Sequence, residues 1–120
     1  RARMSHPHNQ IRLFGWLIAR PKLHRAWFSR RVVRVSLRIG VSDGAAPECF
    51  RIEITKPSCI DIARDLVRGE EIEILAILRP GLWTGRLEII VEEPHGAIFL
   101  FERAQELAEW RAYGGGSCTD

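Results

Sequence analysis

The sequence predicts an all-β fold, one small five-stranded antiparallel barrel spanning residues 9–101. Three observations carry this expectation. Five segments alternate apolar and polar residues with a period of two, which in a strand sends successive side chains to opposite faces. One segment, between the third and fourth of these, switches to helical spacing. A chain of 120 residues is also the size that one hydrophobic core serves.

Residues 1–8, with His6-Pro7-His8, are polar and aperiodic and are expected to be a disordered lead-in. Ile11, Leu13, Gly15 and Leu17 alternate with Arg12, Phe14, Trp16 and Ile18 to make the first strand, in which Gly15 would permit the bend that closure needs. Pro21 ends it, and Lys22 to Arg31 reads as a basic loop around the pair Trp27-Phe28. Val33, Val35, Leu37 and Ile39 form the apolar face of the second strand, with Val32, Arg34, Ser36 and Arg38 opposite. After the turn Ser42 to Pro47, Phe50, Ile52 and Ile54 of the third strand point one way, and Cys49, Arg51, Glu53 and Thr55 the other. Cys59, Ile62, Ala63 and Leu66 then recur at helical spacing, with Ser58 and Asp61 placed as a capping box and Gly69 as the αL stop. Ile72, Ile74, Ala76 and Leu78 face inward on the fourth strand and Leu87, Ile89 and Val91 on the fifth, joined by the Arg79 to Gly85 loop. The order βββαββ, with the short helix between strands three and four plugging one end, is that of the OB-fold. Ala97 to Phe101 could add an edge strand, 102–113 has the composition of a short C-terminal helix, and 114–120 is a flexible tail.

The net charge of +3 conceals a division. Residues 1–47 carry ten Arg or Lys against Asp43 alone, a balance of +9, whereas 48–120 carry eight against fourteen carboxylates, a balance of −6. Such a split suggests one side facing a polyanion, and the near-exclusive use of arginine, whose fork matches phosphate and stacks on bases, favours nucleic acid. No run of 18 apolar residues exists, so no membrane partner is expected and a cytoplasmic, nucleoid-associated protein is the default. Cys49, Cys59 and Cys118 lack close-pair spacing and are read as plain thiols. His6, His8, His24 and His95 lie in loops or tails without metal spacing; Glu70-Glu71 and Glu92-Glu93 are adjacent carboxylates at strand ends; no glycine loop precedes a helix. No cofactor, metal or enzyme activity is therefore expected.

From Cys49 to Val91 the pattern resembles the bacterial single-stranded DNA-binding protein family: a strand with a basic residue, a helix, Arg68-Gly69, an alternating strand, a loop ending in Trp83, and Leu87-Glu88-Ile89-Ile90-Val91. Asn9 to Leu17 is similar to that family's opening strand, and Gly96 to Leu100 to its post-barrel strand. The resemblance implies sequence-independent binding of single-stranded DNA by a homo-oligomer, in replication, recombination or repair. It puts the family's stacking tryptophan on Trp83 and its helix-ending basic residue on Arg68. The aromatics the family carries on strand three fall on Cys49 and Thr55, with Glu53 between them, and its acidic protein-recruiting tail has no counterpart in Ser117 to Asp120. Partner replication or repair proteins are thus open.

The candidate phosphate contacts are Arg34, Arg38 and Arg51, on the outward faces of adjacent strands, extended around the rim by Arg31, Arg79 and Arg86. Trp83 is the candidate stacking platform, with Trp27 and Phe28 as a second. Phe14 and Trp16 share the strand-one face that the family uses for subunit pairing. Two other readings stand. Glu53 and the missing aromatics suit an OB-fold interaction subunit of a replication or primosome complex with weak nucleic-acid binding, and stacking with phosphate contact does not separate DNA from RNA.

Overall fold

The computed structural model describes residues 9–42, 46–81 and 84–101. The lead-in at 1–8, the turn residues 43–45, the pair Leu82-Trp83 and the expected helix and tail at 102–120 lie outside the described residues.

Among the described residues the chain forms seven strands and one helix: β1 Ile11–Leu17, β2 Lys22–Arg25, β3 Val32–Val41, β4 Glu48–Ile54, α1 Pro57–Ala63, β5 Glu71–Pro80, β6 Leu87–Val91 and β7 Ala97–Leu100. Five of them close on one another in the order β1-β3-β4-β6-β5, with β5 pairing back to β1. Ile11 to Trp16 lie opposite Ala76 to Glu71, and that ladder shuts the barrel. The expected all-antiparallel sheet is corrected at one seam: β4 and β6 run parallel, Ile52 beside Ile89 and Ile54 beside Val91. A parallel neighbour requires a crossover between the two strands, and α1 with β5 supplies it. The strands are β2 and β7 beyond the five: β7 continues the sheet along β5 as an edge strand, and β2 forms a hairpin with β3. Lys22 to Arg25 is thus a strand rather than the start of a loop, leaving only Ala26 to Arg31 as the turn.

The interior is filled by the predicted alternating positions. Leu17, Val35, Leu37, Ile39, Ile52, Ile54, Ile72, Ile74 and Val91 are completely or almost completely buried, and Cys59, Ile60, Ala63 and Leu66 close one end. In β3 the alternation breaks at its start. His24 lies opposite Arg34 and Arg25 opposite Val32, so Val33 is an extra residue bulged out of the ladder. A bulge reverses the faces before it, which is why Val32 is buried and Val33 exposed, contrary to the sequence expectation. The close crossing of β1 over β3 explains two glycines. A Cβ on Gly15 would collide with the Gly40 carbonyl oxygen and stand 2.8 Å from the Ile39 side chain, and one on Gly40 would stand 2.7 Å from the Trp16 indole. Gly15 serves the close approach of the two strands.

α1 is shorter than expected and starts differently. Lys56 is its N-cap with Pro57 following, and no side-chain capping bond forms, so Ser58 and Asp61 are not a capping box. Proline at the first helical position supplies the start, since its missing N–H has no partner to lose there. The helix ends at Ala63, six residues before Gly69, whose φ of 92° serves instead the turn into β5, where its N–H donates to the Leu17 carbonyl at 2.7 Å. Ile60 takes the core position assigned to Ile62, which is only partly buried.

Candidate nucleic-acid interface

The outer faces of β4, β6 and the end of β5 line a groove of about 820 Å³. Arg34 reaches it from β3, Arg51 from β4, Arg79 from β5, and Arg86 from the approach to β6, with Cys49, Phe50 and Thr55 along its wall. Four of the six arginines named from sequence therefore share one concavity. Arg38 lies opposite Arg51 in the β3–β4 ladder, and Arg31 lines a separate cleft.

Beneath Arg34 and Arg51 sits Glu53, only 4% exposed. Arg51 Nε donates to Glu53 Oε2 at 2.8 Å, and Arg34 Nε stands 3.3 Å from Oε1, close enough for an ion pair although not aligned for a hydrogen bond. Ser36, opposite Glu53 in the ladder, donates its hydroxyl to Oε1 at 2.8 Å. An ionised carboxylate only accepts, so the one Ser36 proton is committed to Glu53. The Ser36 oxygen then accepts from His24 Nε2, 2.9 Å away, which places the imidazole proton on Nε2. The polar chain thus runs from His24 through Ser36 to Glu53 and ends under two guanidinium groups. Burial, then the nearby Arg34, hold the His24 imidazole below its ordinary value. Sequence alternation put Glu53 on the correct face but missed its depth; its register opposite Ser36, flanked by arginines, was the available signal.

Elsewhere on the groove, Arg79 Nη1 donates to Glu92 Oε2 at 3.0 Å, while Arg86 presents its guanidinium at the exposed β5–β6 hairpin. Gly85, with φ of 70°, lets that hairpin turn. Trp83, the platform named from sequence, lies outside the described residues. Trp27 and Phe28 project from the β2–β3 turn, 94% and 75% exposed, their rings edge-to-face with centroids 5.7 Å apart. Two exposed rings side by side bury nothing in the core.

On the opposite side of the barrel, Phe14 is half exposed and packs on Phe101, ring centroids 4.8 Å apart. Trp16 lies across Gly40 with its indole N–H buried and unbonded. Phe14 lies opposite Glu73, and Phe99 on β7 is next in that row. The plain-thiol expectation holds for Cys59, which is buried, and burial pushes its thiol up. It fails for Cys49, which is disulfide-bonded. No helix among the described residues is long and apolar enough to cross a membrane, and no group of three metal-ligating side chains occurs among them.

The same architecture occurs in solved single-stranded DNA-binding proteins. The Plasmodium falciparum SSB, solved in complex with ssDNA, matches with a TM-score of 0.65 at 14% identity, over 81% of this chain and 97% of that one. The S. cerevisiae mitochondrial single-stranded DNA-binding protein Rim1 matches with a TM-score of 0.62 at 10% identity in one crystal form, over 82% of this chain and 99% of that one. In another crystal form the values are 0.60 and 10%, over 79% and 97%. No protein-family model matches the sequence, and no curated protein matches it. The likeness is one of fold: a closed, SSB-like OB barrel.

Proposed function

We propose that this chain binds single-stranded DNA without sequence preference and serves replication, recombination or repair as a cytoplasmic, nucleoid-associated homo-oligomer, with no catalytic role of its own. The observation that carries the reading is the groove, where Arg34, Arg51, Arg79 and Arg86 converge on the outer face of a barrel whose solved counterparts are single-stranded DNA-binding proteins. The groove arginines follow the phosphates, Arg38 and Arg31 extend the track, and Trp83, Trp27 and Phe28 stack bases. Subunits pair through the β1 face that carries Phe14 and Trp16.

Fluorescence titration with a homopolymeric DNA strand tests this directly. Strong tryptophan quenching is the expected result, and Trp83→Ala should weaken binding by about 1–3 kcal/mol, the usual worth of one base stack. A flat titration at low salt would remove the DNA reading.

One observation favours a second reading. Glu53 and Glu92 already hold three of the four groove arginines, and Cys49 and Thr55 stand where stacking rings are wanted. A flat titration together with a stable complex with a replication protein would support an OB-fold interaction subunit instead.

A further inference from the structure

The groove sets four arginines against Glu53, Glu88 and Glu92, a formal balance of only +1. The uncompensated positive charge lies elsewhere. A second cleft of about 450 Å³ opens between the β2–β3 turn and α1, lined by Arg25, Arg30, Arg31 and Arg64 with Asp61 as its sole carboxylate, a balance of +3. Arg25 Nη1 donates to the Arg30 carbonyl at 2.6 Å, which fixes one guanidinium across the turn. No carboxylate among the described residues lies within ion-pair distance of Arg30, Arg31 or Arg64. Like charges gathered this closely repel one another, and a polyanion relieves that repulsion. The turn that supplies Arg30 and Arg31, next to Arg25 at the end of β2, also carries the exposed rings of Trp27 and Phe28. Exposed Thr55, just past the end of β4, lines both the groove and this cleft, so the two concavities meet there.

We propose that the cleft between the β2–β3 turn and α1 is a second phosphodiester-binding subsite, occupied by the same single strand that lies in the groove and passed from one to the other at Thr55. Arg30, Arg31 and Arg64 take phosphates there, and the turn rings take the adjoining bases. Alternating anions and flat rings suit this mixture of guanidinium groups and aromatics better than an acidic polypeptide, which offers carboxylates but nothing to stack. The subsite rests on the DNA reading of the groove, and the test separates the two.

The full chain, an Arg30→Ala/Arg64→Ala variant and a Trp83→Ala/Arg86→Ala groove variant are titrated with end-labelled oligo-dT of about 6 and about 30 nucleotides, one within and one well beyond the roughly 4–16 nucleotides of one OB fold. Circular dichroism checks that the variants fold. The cleft variant should match the parent on the short strand. On the long strand it should lose about tenfold in affinity and its salt slope should flatten by about 1.4, since each single-strand phosphate contact contributes about 0.7. A cleft variant equal to the parent on the long strand, beside a weakened groove variant, overturns the subsite and leaves the groove reading standing. A parent that ignores both strands overturns both readings. Binding of poly-glutamate but not oligo-dT through Arg30 and Arg64 would assign the cleft to an acidic protein and likewise overturn it.

Discussion

Glu53 shows how one buried carboxylate organises a surface. It accepts from Ser36 and Arg51 and faces Arg34, so it fixes two cations at the cost of their charge. Glu53→Gln should therefore act in two opposed ways. Losing hydrogen bonds to charged partners should lower stability by about 1.5–3 kcal/mol, read by denaturant melts. Freeing two guanidinium groups should steepen the salt slope of DNA binding by up to about 1.4. An unchanged slope would mean that neither arginine meets a phosphate. His24, at the other end of the polar chain, gives a pH signature. Its imidazole is held below 6.5 in the fold, so the unfolded chain takes up the proton first as pH falls. The stability it contributes is present above about 6.5 and is lost as pH drops through the depressed value. Melting temperature should fall more between pH 7 and pH 5 in the parent than in His24→Gln, and equal falls would exclude this histidine as the source.

At the scale of elements, the crossing of β1 over β3 has no room for a side chain at Gly15, where the obstruction is backbone. Gly15→Ala should cost about 1–3 kcal/mol of overpacking, measured as a shift in denaturation midpoint. The β2–β3 turn should behave oppositely. Trp27→Ala/Phe28→Ala removes rings that stabilise nothing in the core, so the midpoint should move by less than about 0.5 kcal/mol while DNA binding weakens. The strands were legible because a closed barrel buries one face of each, and Ile52, Ile54, Ile72 and Ile74 all fell on the expected side. Three features were not. A period of two cannot register the single inserted residue at Val33, and helical spacing continues through Leu66 although the helix stops at Ala63. The parallel β4–β6 seam is a long-range choice that local patterning leaves open. The site followed the same logic: alternation gave the faces of Arg34 and Arg51 but not their carboxylate partner, and the Arg64 cleft depends on a helix and a turn distant in sequence.

Over the whole molecule, the basic N-terminal portion supplies Arg25, Arg30, Arg31 and Arg34, and the acidic remainder supplies the carboxylates that temper the groove. Binding should therefore weaken steadily as salt rises, with log affinity linear in log salt, and affinity indifferent to ionic strength would exclude a phosphate-led mechanism. Mass measured in solution should exceed the 13.7 kDa of one chain and fall when Phe14→Glu is introduced on the β1 face. Barrel closure also has a consequence for crowding. Each of the five barrel strands is paired on both sides over part of its length, so the sheet borders left open among the described residues are short stretches, among them β2, β7, residues 11–15 of β1 and residues 48–51 of β4. Borders that short, one of them tipped by Lys22 and Arg25, are poor templates for further strands. Many copies lined up along a single polynucleotide would stay discrete beads instead of zipping into fibrils.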